Sequence, residues 1–215
     1  MEFVLSHGLS ILPFLITILF LSKSSYHKGD KSYQIFCIYI TFIALIEIVS
    51  GIMNYNGIYN LFFSHVYFYG EFLFLSLFFR QLIEKSQKTK ASLLIIIFAS
   101  ILVFLIILSA SGYFVLSPFH PIEVLVCGLP ILALAIVHLY NSLSKSLKYV
   151  YITIGVIVYK TVSVLVFTLQ NFANNIDSFD NLSNILLGLN SVFLYIYYGL
   201  IIFEWFKSFR QKKVS

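Results

Sequence analysis

Charged residues are scarce in this chain. Nine Asp and Glu and fourteen Lys and Arg make up 11% of its 215 residues, whereas hydrophobic residues make up 60%. A soluble domain of this size needs far more charge to cover its surface. The mean hydropathy of +0.93 and the long apolar stretches predict an integral membrane protein. We expect an all-α bundle, because an outer-membrane barrel would show short alternating segments instead.

Cysteine pairs and signature motifs are lacking as well. The two cysteines, Cys37 and Cys127, lie inside apolar runs, which excludes a disulfide framework and a paired-cysteine zinc site. The chain contains no GxSxG, P-loop, dinucleotide fingerprint, HExxH or HxxxH. We therefore predict no catalytic residue, no metal ligand set and no cofactor, and a non-enzymatic role is favoured. No connection is rich enough in Gly, Ser or Pro to separate two domains.

Seven apolar runs of about 20 residues are each long enough to cross a bilayer. We expect residues 1–206 to form a single seven-helix transmembrane domain, followed by a short basic cytoplasmic tail at residues 207–215. The first run lacks a small-residue cleavage site, which favours a retained helix over a signal peptide. The predicted spans are residues 3–21, 33–53, 61–82, 91–110, 119–139, 149–170 and 182–206.

The basic residues predict an orientation for these spans. Thirteen of the fourteen Lys and Arg lie at or after the end of the first, third, fifth or seventh run, and the other connections contain none. By the positive-inside rule, the N-terminus is outside and the C-terminus is cytoplasmic. These basic clusters are typical of topology determinants with some attraction to anionic lipid, so we expect no nucleic-acid partner.

The fourteenth basic residue, Lys160, lies in the middle of the sixth run, where an unpaired charge is costly. It is eleven residues from Asn171, and Glu71 is ten residues from Leu61, so both lie about 15 Å below the outer end. Glu47 lies about 9 Å below the same end. We predict that Lys160 pairs with Glu71, or with both glutamates, either as a ligand-binding group or as a structural ion pair.

Other polar side chains collect in the outer half of six spans. Because lipid penalises polar groups, we expect these side chains to face one another around a cavity that opens outward. The fourth run offers only Ser100 and is expected to be the most lipid-exposed. The inner half has little beyond His138 and Glu204, which argues against a continuous polar path. The candidate cavity-lining residues are His7, Ser50, Asn54, His65, Glu123, Cys127, Asn184, Asn190 and Ser191.

Two segments carry a resemblance to known proteins. The third run, "SHVYFYGEFLFLSLFF", has a glutamate after a start rich in His and Tyr, and the last run, "NLSNILLGLNSVFLYI", contains asparagines. In these features the chain resembles small seven-span membrane proteins of Bacteroidetes-type bacteria, a group from which no function can be carried over. The resemblance covers most of the chain and supports the seven-span topology. We expect a multi-pass protein of the bacterial inner (cytoplasmic) membrane. A microbial rhodopsin is disfavoured, because the seventh run has no lysine.

These observations favour a multi-pass membrane protein that binds a small or lipidic ligand in an outward-facing polar cavity and acts as a sensor or accessory subunit. An ion or proton channel, a carrier or a membrane-permeabilising effector is the first alternative. An intramembrane lipid-modifying enzyme, with Glu71 or Glu47 as acid/base, is the second. The expected partners are membrane lipids, with a homo-oligomer or a membrane or cytoplasmic protein as further alternatives.

Overall fold

A computed structural model shows the chain as a bundle of helices. It describes residues 2–27, 29–113, 115, 117, 119–145, 147–173 and 180–209, and side chains within these ranges except at residues 2–10, 25–26, 171–173 and 180–181. No strand occurs in these ranges. The long helices are α1 (Glu2–Lys23), α2 (Lys31–Tyr55), α3 (Phe63–Leu82), α4 (Lys88–Ala110), α5 (Pro121–Ser144), α6 (Val150–Ala173) and α7 (Asp180–Glu204).

Each of the seven apolar runs coincides with one helix, so the all-helical prediction is confirmed. Within the described residues, five helical segments are long and apolar enough to cross a membrane: Lys31–Tyr55, Lys85–Ala110, Pro121–Ser144, Val150–Gln170 and Leu182–Phe209. The Tyr, Ser, His and Gly residues of α3 make it more polar than these five. In α1, the described apolar segment is the shorter Ile11–Lys23.

Several helix starts are fixed by local capping. The Asp30 carboxylate accepts hydrogen bonds from the backbone N–H groups of Ser32 and Tyr33, at 3.0 and 3.2 Å, and so satisfies two free donors of α2. Helix α5 begins with Pro121, whose missing N–H costs nothing at that position, and His120 Nδ1 accepts from the next N–H group at 3.3 Å. These caps explain why the helices begin within a few residues of the expected boundaries.

The first, third and fifth connections between the long helices meet at one end of the bundle, which we call the basic end. The α1–α2 connection touches the start of α6 there, because the Tyr149 hydroxyl donates to Asp30 at 3.0 Å. The α3–α4 and α5–α6 connections also touch, because Lys145 Nζ lies 2.7 Å from a carboxylate oxygen of Glu84. The helices therefore alternate in direction.

The opposite end, which we call the lysine-free end, holds the described connecting residues 56–62, 111–113, 115, 117 and 119–120, none of which is Lys or Arg. Within the described residues, the starts of α3 and α5 meet there through His65 and Glu123. The side chains of Gln170 and Ser183 lie 3.4 Å apart and join the end of α6 to the start of α7.

Helix α6 packs most extensively, against α7 and α5. Two glycines permit this close approach. A Cβ atom on Gly128 of α5 would lie 2.6 Å from Val164, and one on Gly155 of α6 would lie 2.9 Å from Tyr197. Helix α4, by contrast, buries only Ala91 and Leu102. It is the least buried of the five membrane-compatible segments, as its sequence predicted.

Candidate functional site

The centre of the candidate site is an ion pair between α6 and α3. Lys160 Nζ donates a hydrogen bond to Glu71 Oε2, and the two residues are only 3% and 1% exposed. Each lies near the middle of its helix, about 12–20 Å from either end. Removing two charges from water is costly, and mutual attraction offsets that cost only when the geometry and the surrounding hydrogen bonds are good.

Tyrosines surround this ion pair. Lys160 Nζ lies 5.4 Å from the ring centre of Tyr159 and 5.9 Å from that of Tyr67, within the range of cation–π attraction. Tyr197 stacks on Tyr159 with ring centres 5.5 Å apart, and its hydroxyl lies 3.3 Å from the hydroxyl of Tyr39. These four tyrosines, here called the tyrosine cluster, supply both aromatic faces and hydroxyl groups at mid-depth.

The ion pair leaves hydrogen-bonding capacity unused. Within the described part of the chain, Glu71 Oε1 is buried without a hydrogen-bond partner, and so is the hydroxyl of Ser76 five residues further along α3. Such atoms are rare in folded proteins because each one costs the desolvation of a polar group. The unsatisfied oxygen of Glu71 belongs to the carboxylate that pairs with Lys160, so this ion pair retains an unused acceptor.

A pocket of about 210 Å³ opens at the lysine-free end between α2 and α3. The amide of Asn60 donates to both the carbonyl and the hydroxyl of Ser50, each at 2.9 Å, and this fixes one rim. Glu47 is half-buried and forms no hydrogen bond or ion pair with any described residue, so its carboxylate is available to bind a ligand. The lining consists of Ile46, Glu47, Ser50, Asn60, Leu61, Phe63, Ser64, Tyr67 and Phe119.

Tyr67 connects the pocket to the ion pair. Ser64, Tyr67 and Glu71 are spaced three and four residues apart, which places them along one stripe of α3. Ser64 and Tyr67 line the pocket, and the Tyr67 ring also lies over Lys160. The deep wall of the pocket is therefore shared with the Lys160–Glu71 pair.

His65 and Glu123, two of the candidate cavity residues, form a separate pair. His65 Nδ1 lies 2.8 Å from both carboxylate oxygens of Glu123, whose side chain is 1% exposed against 21% for His65. Cys127 is buried one turn further along α5 as a free thiol. Within the described residues, no group of three or more His, Cys, Asp and Glu is arranged to hold a metal ion.

The remaining candidates are dispersed. Asn54 and Asn184 are exposed, because each lies within two turns of a helix terminus. Asn190 is half-buried and its Oδ1 has no partner among the described residues, whereas the Ser191 hydroxyl donates to the Leu187 carbonyl of its own helix at 3.0 Å. The side chain of His7 lies outside the described residues.

Two polar contacts near the basic end are not evident from sequence. The Glu204 carboxylate accepts from the backbone N–H groups of Tyr149 and Tyr151, at 3.2 and 2.9 Å, and thereby caps α6 from the end of α7. His138 Nδ1 lies 2.9 Å from the Thr153 hydroxyl, and both residues are buried. One feature of the sequence points to the first contact: no Asp, Asn or Thr stands just before α6 to cap it. The unpaired N–H groups at the start of α6 therefore need an acceptor from another part of the chain.

The fold and site thus define a helical membrane protein with an ion pair buried between two of its helices. No protein-family model matches the chain, and no curated protein or solved structure matches it significantly, so no functional family is recognised.

Proposed function

We propose that this protein binds a small or lipidic ligand in the pocket between α2 and α3 and acts as a sensor or accessory subunit in the membrane. The observation that carries the proposal is the wall formed by Tyr67. This residue separates a pocket containing a free carboxylate, Glu47, from a buried carboxylate with one unsatisfied oxygen, Glu71. Ligand sites characteristically combine apolar walls with a few such polar groups.

The lining chemistry limits the ligand. The polar groups facing the pocket are one carboxylate, one amide and three hydroxyls, and the lining contains no Lys or Arg. An anionic head would be repelled by Glu47, whereas an amine or a hydroxyl-rich head would be attracted to it. Leu61, Phe63 and Phe119 supply apolar surface for the rest of the ligand. We therefore propose a molecule with a hydrogen-bond-donating head and an apolar body.

The ion pair supplies the response in this proposal. A ligand donor that reaches past Tyr67 would bind Glu71 Oε1, which has no partner in the described part, and would thereby share the carboxylate with Lys160. Weakening the Lys160–Glu71 contact would change how α3 packs against α6. A ligand shifts a conformational equilibrium only through such a difference in contacts between two states.

The same proposal includes seven spans with the N-terminus outside. Its support is the alternation of the helices, together with the restriction of Lys and Arg, apart from Lys160, to the basic end among the described residues. In that orientation the pocket opens to the outside, and the basic end faces the cytoplasm of a bacterial inner membrane.

A proton carrier is the second candidate. One observation favours it: the unsatisfied hydroxyl of Ser76 and the buried pair of His138 and Thr153 extend the polar groups from Glu71 towards the basic end. A carrier predicts proton uptake into liposomes that Glu71→Gln abolishes. A binding protein predicts no such uptake in either form.

Native mass spectrometry of the purified protein tests the binding proposal. We expect a bound small molecule on the wild type and its loss from Glu47→Gln, because that substitution removes the pocket's charge but keeps its shape. Glu84→Gln, which changes an exposed carboxylate at the other end, should retain the molecule. Equal retention by both variants, or no bound molecule on the wild type, would refute the proposal.

A further inference from the structure

A second, larger cavity lies far from the proposed ligand pocket. It is a groove of about 380 Å³ near the basic end, within the size range of ligand sites. Two small side chains in its lining, Ala91 on α4 and Ala133 on α5, leave room between the larger lining residues. Ala133 is exposed, so the groove opens on the surface of the bundle. Its lining is Ile83, Gln87, Lys90, Ala91, Leu94, Ala133, Leu134 and Val137.

The groove is apolar along its length and polar at its mouth. Gln87 and Lys90 lie one helical turn or less from the start of α4, whereas Leu94 lies about 10 Å deeper than Gln87. The Gln87 side-chain oxygen accepts from Asn141 at 2.8 Å, so this contact does not use the amide N–H groups of Gln87. Lys90 is exposed and forms no ion pair or hydrogen bond within the described residues.

Neighbouring charges do not neutralise Lys90. The carboxylate nearest in sequence, Glu84, is engaged by Lys145 at 2.7 Å. Lys88, two residues before Lys90, adds further positive charge, and its ammonium group donates to the side-chain oxygen of Gln81 at 3.5 Å. The mouth of the groove therefore carries Lys90, a cation without a partner among the described residues, above an apolar slot on a helix of which only Ala91 and Leu102 are fully buried.

We propose that this groove binds one phospholipid with an anionic headgroup. Its phosphate pairs with Lys90 and accepts from the Gln87 amide, and one acyl chain lies in the slot between Ala91 and Ala133. An anionic phospholipid fits because it presents a negatively charged head at the membrane surface directly above a long apolar chain, which matches a lysine above an apolar slot. Basic residues at the cytoplasmic surface favour anionic lipids for the same electrostatic reason.

Native mass spectrometry of the full-length protein with phosphatidylglycerol and phosphatidylcholine in equal amounts tests this site. We expect the wild type to retain one phosphatidylglycerol in preference to phosphatidylcholine. Lys90→Gln should reduce that preference about fivefold, the effect of one lysine near an anionic surface. Lys85→Gln is the matched control, because Lys85 lies at the same end but outside the groove.

Ala133→Phe fills the slot without changing charge and should displace both lipids, and its exposed position makes it tolerable to the fold. Equal lipid preference in Lys90→Gln and Lys85→Gln would overturn the proposal. So would unchanged lipid retention in Ala133→Phe. If Ala133→Phe instead abolishes a dimer and leaves lipid retention intact, the groove holds a helix of a second copy, and the lipid proposal is wrong.

Discussion

Lys160 of α6 and Glu71 of α3 form an ion pair that is almost fully removed from solvent at mid-depth of the bundle. Only one of the two Glu71 oxygens is used, since Oε1 has no partner in the described part of the chain. Tyr67 covers the lysine on the side of the pocket. The pair therefore joins two helices and at the same time lies within reach of anything that displaces Tyr67.

Breaking this pair from one side should be strongly destabilising. Lys160→Met leaves the Glu71 carboxylate buried and uncompensated, and we expect a loss of about 3–5 kcal/mol in the free energy of unfolding. The double variant Lys160→Met/Glu71→Leu should recover most of that loss, because neither charge is then stranded. Unfolding of each variant by a denaturing detergent added to mild-detergent micelles measures both free-energy changes.

The control for this comparison is Lys145→Met at the exposed Lys145–Glu84 pair. Solvent screens that pair, so its loss should cost less than about 1 kcal/mol. If Lys160→Met costs no more than Lys145→Met, the buried pair does not stabilise the α3–α6 contact as described here.

The Glu204 carboxylate should hold the first turn of α6 in place. We expect Glu204→Ala to lower the free energy of unfolding by about 1–2 kcal/mol, the typical cost of losing a helix cap. Amide hydrogen exchange at Tyr149 and Tyr151 should accelerate in the same variant. Glu204→Gln retains one acceptor oxygen and should show a smaller effect on both measurements, whereas identical effects of Ala and Gln would exclude a capping role.

The pair of His65 and Glu123 should tie α3 to α5 at the lysine-free end. His65→Ala leaves the buried Glu123 carboxylate without this partner and should cost about 1–3 kcal/mol. His65→Gln keeps a donor of similar reach and should recover part of the loss. Thermal unfolding of the two variants checks this, and equal melting temperatures for wild type and His65→Ala would contradict it.

Much of the fold follows from the sequence, because a span must be apolar and about 20 residues long. Counting residues from the ends of the predicted spans predicts that Lys160 and Glu71 lie at the same depth in the bundle. In the structure these two residues form an ion pair. Counting residues could not predict the contact between His65 and Glu123, because it gives the depth of a residue but not which helices are neighbours. The tyrosine cluster could not be predicted either. Its rings contribute to the apolar pattern of the spans, and this pattern conceals the polar hydroxyl groups.

Orientation and span number stay predictions, and cysteine labelling tests them. Ser111 and Ser86 are exposed, flank α4 and lie at opposite ends of the bundle, and the native Cys37 and Cys127 are buried. In intact spheroplasts, a membrane-impermeant maleimide should label Ser111→Cys and leave Ser86→Cys unlabelled until the membrane is opened. The reverse order would place the lysine-free end inside, and labelling of both would mean that α4 does not span the membrane.

We propose above all that the pocket next to the Lys160–Glu71 pair is a ligand site. A cryo-electron microscopy reconstruction of the protein, purified in nanodiscs with lipids from its own membrane, tests it most directly. We expect non-protein density between α2 and α3, in contact with Glu47 and Tyr67 and separate from the surrounding lipid. A pocket filled by the side chains of Tyr67 and Phe119, with no such density, would contradict it.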